Sequence, residues 1–318
     1  MSGGGFRSVF RSLGAVLAVS CGGAALSCGG AESRPSPESQ SVEARSRIVA
    51  TEEDWRILRQ TAERAERRGL DTVSVGEGLA AVGLFFVGTP YRPQTLEVPG
   101  PERLVVNLRA LDCVTLIETA LAIVHTIREE GRVSDWSDER LRSTYADALR
   151  RIRYRGGQLD GYPSRLHYFS EWIQDAEAKG LLRPITSDLG GIPDTTALDF
   201  MSNHPEAYRQ LADPAVIDEI RETEARLSRD PRIFIPEGRI ADAAPGILDG
   251  DIIAATSTVE GLDVAHTGIA LWQDGSLHLL HAPLVGDSVQ VSPRTLARRI
   301  IEIEGQDGIM VARPTGGR

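Results

Sequence analysis

Apolar residues in the first half of the chain recur at helical spacing, whereas those in the last quarter fall in short runs cut by Gly, Asp and Pro. In TEEDWRILRQTAERAERRGL, Trp55, Leu58 and Ala62 share one face, and Thr51 with Asp54 makes a capping-box start. Ser74 and Glu77 repeat that signal ahead of GLAAVGLFFVG, whose apolar content predicts a more buried helix. Asp112 caps a third helix, CVTLIETALAIVHTIREEG, with a continuous apolar face that Gly131 stops. Two more are predicted from Ser137 to Arg150 and from Arg165 to Lys179, the latter ended by Gly180. Residues 186–231 are mixed, with an apolar run at LDFM and helical spacing in PAVIDEIRETEARL, and read as a helical insertion or side layer. Beyond them RIFIP, GDIIAAT, VAHTGIALW, SLHLLHA, SVQVS and GIMVARP read as strands, with Asp274-Gly275 as a hairpin turn. Helices first and antiparallel strands later predict an α+β architecture.

The N-terminus breaks this pattern. Arg7 and Arg11 precede an uncharged run of small and apolar residues, Leu13 to Ser27. That run is shorter than the roughly 20 residues of a membrane-spanning helix and predicts an export leader over residues 1–28. Cys21 follows Ala-Val-Ser and Cys28 follows Ala-Leu-Ser, small-residue sites like those before the lipidated cysteine of bacterial lipoproteins. Cys28 is favoured because it ends the apolar run. Residues 29–48, rich in Ser, Pro and Gly, predict a disordered tether ahead of a domain over 49–318. The expected location is the cell envelope, lipid-anchored and facing the periplasm or exterior.

Charge narrows the partners. Lys and Arg number 35 against 45 Asp and Glu, a formal net charge of −10, and Lys179 is the single lysine. No basic block stands out, which argues against a nucleic-acid surface. With Cys21 and Cys28 assigned to the leader, Cys113 has no disulfide partner in the folded body, so its thiol is either buried and inert or reactive.

Position favours reactivity. A thiol at a helix N-terminus beside an imidazole is expected to ionise more readily than a free one, and the amides of that first turn can donate to an oxyanion. His266, in GLDVAHTGIALW, fronts an apolar strand among small neighbours. Across the Asp274-Gly275 turn, His281 falls on the face of Leu277 and Leu279, opposite His278, and can orient His266 as the third member of a triad does. The remaining histidines carry no HExxH or CxxC companion, and the Gly-Gly pairs form no phosphate-binding loop, so neither metal nor other cofactor is expected.

In order, GTPYRPQTLE, LDCVTLIETALAI, SRLHYFSEWI, GDIIA, GLDVAHTGIA and LHLLHA resemble the N-acetylmuramoyl-L-alanine amidase-like branch of the NlpC-type cell-wall cysteine peptidases. The likeness runs from about residue 75 to residue 313. It implies a papain-like core and a bacterial hydrolase of the amide between N-acetylmuramic acid and L-alanine in peptidoglycan fragments. It also implies Cys113, His266 and His281 as the catalytic group, with Tyr91 lining the site. Asp112-Cys113-Val114-Thr115 departs from the DCSG of general NlpC-type enzymes, which favours amidase over endopeptidase specificity. Arg165 and Tyr168 are the candidates for substrate contact, through a carboxylate and a sugar face respectively. The rival readings are a stem-peptide endopeptidase, a non-catalytic wall-binding lipoprotein and an acyltransferase; none implies a protein partner.

Overall fold

The computed structural model describes residues 48–285 and 287–316; the expected leader, the tether as far as residue 47, Cys21 and Cys28 lie outside them. The first described residue, Ile48, is the last of the expected tether. There β1 (Ile48–Val49) pairs in parallel with β2 (Leu104–Val105).

The first half builds helices where the caps predict them. Capping boxes at Thr51 and Ser74 start α1 (Glu52–Arg67) and α2 (Val75–Phe85). Asp112 starts α3 (Cys113–Ile127), and the Ser137 hydroxyl caps α4 (Asp138–Arg153). From Thr115 to Ile127 all of α3 is buried except His125, so this helix is the axis around which α1, α2 and α4 pack. Each fully buried Leu or Ile on it contributes roughly 1.5–3 kcal/mol, well above any helix-propensity term. α5 (Phe169–Ala178) begins four residues later than its pattern suggests, because Arg165 and Tyr168 have extended backbone and Arg165 bridges to Tyr154.

An eight-stranded sheet follows, antiparallel in every pairing: β4 (Ile192–Asp194), β5 (Arg232–Pro236), β10 (Gln306–Pro314), β6 (Ile252–Ser257), β7 (Val264–Gln273), β8 (Ser276–His281) and β9 (Gln290–Val291) in that order, with β3 (Leu182–Pro184) also paired to β10. β7 and β8 meet at Asp274 and Gly275, whose φ angles of 49° and 76° are both positive, as the two-residue hairpin requires. The mixed segment 186–231 contributes β4 to the sheet edge. It also contributes α6 (Pro214–Leu227), which closes a small third core with Tyr162, Tyr168, Leu198, Met201 and Leu211.

Alternation divides the sheet's two faces. Ile252, Ala254, Ile269, Leu271, Leu280 and Met310 pack against the α3 layer. Ile253, Ala255, Ala270, Leu277 and Leu279 pack against α7 (Leu296–Glu302) through Leu296 and Ile300. Gly268 lies on this second face, where an added Cβ would fall 2.7 Å from the Leu279 side chain. A glycine there lets β8, and His281 with it, come close to β7. Among the described residues no helix is long and apolar enough to cross a membrane.

Candidate active site

The start of α3 is rigid for a local reason. Asp112 Oδ1 accepts from the amides of Val114 (3.1 Å) and Thr115 (2.8 Å), and the Asp112 amide donates back to Thr115 Oγ1 at 2.8 Å. Cys113, the first residue of the helix, is thereby fixed in direction; it is half-buried and the only cysteine among the described residues. The cap also takes two amides that sequence reasoning left free for an oxyanion. That reading is corrected: Val114 and Thr115 already donate to Asp112.

The sulfur meets the sheet at β7. Pairing between β7 and β8 ends at Ile269 opposite Leu280. Two residues further along, Thr267 sets its amide and hydroxyl toward the Cys113 sulfur, as electrostatic approaches rather than full hydrogen bonds. The next residue on β7 is His266. Its Nε2 lies 2.7 Å from His281 Nδ1, the two rings edge to face with centroids 5.0 Å apart. This contact places both imidazoles on the face shared with Gly268, Leu277 and Leu279, as alternation predicts. His278 points the other way, with its Nδ1 on the Ser292 carbonyl at 2.9 Å.

Electrostatics depart from the sequence reading. Burial first and the Asp112 carboxylate second push the Cys113 thiol up to about 11, against the Thr267 and Val114 donors that favour the thiolate. The ready ionisation expected at the helix start is thus opposed by burial and by the cap carboxylate. Burial, then Arg299 and His281, hold His266 well below the ordinary imidazole value; burial and Arg299 hold His281 at about 3. At neutral pH the group is a thiol beside two uncharged imidazoles. Asp112→Asn keeps the capping oxygen and removes the opposing charge. Its Cys113 is expected to ionise about half to one pH unit lower. Iodoacetamide labelling of the Cys113 peptide across pH reads this directly, and an unmoved midpoint refutes the assigned role of Asp112.

Tyr91 aligns with Leu111 in an isolated bridge, which carries it to the start of α3, and its amide donates to Asp287 O at 2.8 Å. Its phenol is pushed up to about 12 by burial, then by the Cys113 and Asp112 charges, so it stays a donor. Arg299 on α7 acts on Cys113, His266 and His281 together, and the sequence did not single it out.

The two substrate-contact candidates are placed differently from expectation. Arg165 is 5% exposed and held by Glu97 (2.5 Å) and Glu102 (3.6 Å), so a ligand carboxylate would have to displace both. Tyr168 is buried, donates to Glu224 at 2.7 Å and accepts from the Met201 amide at 3.1 Å. Both side chains are engaged by partners within the protein. Their partners lie too far along the chain for any local pattern to reveal them. Among the described residues no three His, Cys, Asp or Glu side chains are grouped to hold a metal ion.

Residues 81–306 match the AmiA-like, N-acetylmuramoyl-L-alanine amidase-like family. No curated protein matches. A crystal structure of an N-acetylmuramoyl-L-alanine amidase from Bacteroides uniformis superposes with a TM-score of 0.70 at 36% identity, covering 76% of this chain and 99% of that one. A structure from Bacteroides fragilis, described provisionally as a xylanase, superposes at 0.67 with 38% identity over 73% of this chain and 98% of that one. A Legionella pneumophila protein of 18% identity shares the fold, at 0.61 over 88% of this chain and 98% of that one. With the family's span covering most of the α3 layer and the sheet, this chain belongs to the N-acetylmuramoyl-L-alanine amidase-like family.

Proposed function

We propose that this chain is a cysteine amidase that hydrolyses the N-acetylmuramoyl-L-alanine amide of peptidoglycan fragments through a thioester, on a papain-like site. The observation that carries the reading is the 2.7 Å contact of His266 Nε2 with His281 Nδ1 in the neighbourhood of Arg299, whose charge acts on Cys113 and on both imidazoles. If His266 Nε2–H donates to His281, His266 Nδ1 is left as the basic nitrogen.

In the first half-reaction Nδ1 takes the thiol proton as sulfur bonds to the lactyl carbonyl carbon. The resulting oxyanion is met by the neutral Tyr91 phenol. Collapse breaks the C–N bond, and the same proton passes to the departing amine of L-alanine. Water then gives a proton to Nδ1 and its oxygen to the acyl carbon, the C–S bond breaks, and the proton returns to sulfur. Because the resting pair is uncharged, His266 works as a general base during attack and not as half of a preformed ion pair. A glycosidase reading has less support. It needs two carboxyl groups about 5–9.5 Å apart across a sugar, and the carboxylate beside Cys113, that of Asp112, is occupied as a cap.

The same proposal keeps the chain exported and anchored through Cys28, on the strength of the leader pattern alone. The test is incubation of the full chain with N-acetylmuramoyl-L-alanine and longer defined muropeptides, followed by product mass. Free L-alanine, or a stem with a free L-alanine amine, is the expected product. Cleavage inside the stem would make the enzyme an endopeptidase, and binding without turnover would make it a wall-binding lipoprotein.

A further inference from the structure

Six acidic residues are buried among the described residues. Four are answered by arginine: Asp54 by Arg109 at 3.0 Å, and Glu118, Glu171 and Asp251 by Arg153, Arg155 and Arg313 at 2.7 Å each. Glu224 takes the Tyr168 hydroxyl and the Ser202 amide. Asp263 takes backbone amides: Oδ2 accepts from Ser170, in the first turn of α5, at 2.7 Å, and Oδ1 from Val264 at 2.8 Å. Burying a carboxylate on amides instead of a cation is costly, so its place in the fold matters. Asp263 stands immediately before β7, three residues ahead of His266.

β7 is irregular at that point. Ala255 of β6 faces His266 and Thr256 faces Val264, so Ala265 is an extra residue in a β-bulge. The bulge separates two side chains that regular alternation would put on one face. Val264 packs into the core on the α3 side. His266 lies opposite Ala255, which belongs to the core on the α7 side, and reaches His281 at 2.7 Å. A bulge aims a side chain only while both its flanks are held. Pairing with β6 from His266 to Ile269 holds one flank. Asp263 holds the other, with its carboxylate on α5 and its carbonyl accepting the Ser257 amide at 3.1 Å. Two residues earlier, Gly261 at φ 76° offers its carbonyl to the Asp199 and Phe200 amides at 3.2 Å each, which ties the same segment to the 186–231 insertion.

We propose that Asp263 is a positioning residue of this site: by clamping the entry of β7 to the first turn of α5, its carboxylate fixes the bulge at Ala265 and with it the aim of His266 at His281. The inference rests on the amidase reading above and deepens it. Asp263 acts through His266 and not on the substrate, so loosening the clamp slows the chemistry more than it weakens binding.

The experiment compares four variants of the full chain. Asp263→Ala removes both acceptors, and Asp263→Asn keeps one oxygen. Gly261→Ala strains the same segment without touching the carboxylate, because an added Cβ would run into Asp199 Oδ1 and the Phe200 amide. Thr186→Val is the control. It deletes a buried hydroxyl bonded to the Val311 amide (2.8 Å) and carbonyl (3.1 Å) on β10, two strands from β7. The first readout is hydrogen exchange of the imidazole N–H between His266 and His281, followed by ¹⁵N–¹H NMR. Exchange should quicken about tenfold or more in Asp263→Ala and Gly261→Ala, by less in Asp263→Asn, and not in Thr186→Val. The second is muropeptide hydrolysis well below the melting temperature. Asp263→Ala should lower kcat by about 10- to 100-fold with KM within about threefold, and Asp263→Asn should recover part of the loss. A folded Asp263→Ala protein with parental exchange and kcat, or an equal loss in Thr186→Val, would overturn the proposal. If Asp263→Ala does not fold, Asp263→Asn and Gly261→Ala decide it by the same readouts. Should the parent fail to cleave the amide, the amidase reading falls, while the ring N–H exchange still decides the part played by Asp263.

Discussion

Cys113→Ala is expected to lower hydrolysis of N-acetylmuramoyl-L-alanine by about 10⁴-fold or more while leaving the unfolding midpoint nearly unchanged. Both halves follow from position. At the first turn of α3, alanine suits the helix, the Asp112 cap is made by the backbone of Val114 and Thr115, and no full hydrogen bond of the sulfur is lost. Chemically nothing replaces the thiol, because His266 and His281 are uncharged and the carboxylate beside them is engaged. Cys113→Ser should be almost as inactive. A hydroxyl is far less acidic than a thiol, and the burial and Asp112 charge that already push the thiol up to about 11 act against an alkoxide too. Steady-state turnover with product mass checks the loss, and thermal unfolding checks the fold. In the parent, iodoacetamide should abolish activity in step with alkylation of the Cys113 peptide, whatever happens at Cys21 and Cys28. Alanine turnover within about a hundredfold of the parent would remove sulfur from the mechanism.

Much of this site was legible because its signals are local. A helix cap is written within four residues, as at Thr51, Ser74 and Asp112, and all three start helices. A hairpin is written in its turn, and Asp274-Gly275 fixed a register that let His281 be assigned to the face of Leu277 and Leu279 before any coordinates. Side chains whose meaning depends on distant partners were opaque. Arg165 looked free because Glu97 lies 68 residues away, and Tyr168 looked available because Glu224 lies 56 residues away. Helix α7 was missed outright: seven residues with two arginines in the middle make too short an amphipathic pattern to stand out. Arg299 went with it, since burial distinguishes it from its exposed neighbour Arg298 and the sequence carries no such mark. The burial that opposes ionisation of the thiol was hidden for the same reason. Helix-start position is visible in sequence, but desolvation is a property of the packed molecule.

Glu118→Ala should be the most damaging single change to stability, at about 3–5 kcal/mol, because of what it leaves behind. Glu118 lies one and a half turns after Cys113 on α3, and its Oε2 receives Arg153 Nε of α4 at 2.7 Å, with both side chains almost wholly buried. Arg153 Nη1 continues to the Val105 carbonyl at 2.6 Å, so one ion pair joins α3, α4 and β2. Alanine removes the carboxylate and strands the guanidinium in the core, where the remaining carbonyl cannot balance its charge. Urea unfolding should show the midpoint moving sharply down, and the melting temperature should drop by about 10 °C or more. Replacing both partners with apolar residues of similar volume, as in Glu118→Leu with Arg153→Met, should recover most of the loss, since it removes the stranded charge along with its partner. A Glu118→Ala protein as stable as the parent would mean that water or a local rearrangement reaches Arg153. The contrast with Arg299 is the physical point. Of two buried arginines in one chain, the one bound to a carboxylate holds helices together, and removing its partner costs stability. Arg299, which has no carboxylate partner among the described residues, is held by the Gln306 amide oxygen at 3.1 Å and joins no such pair.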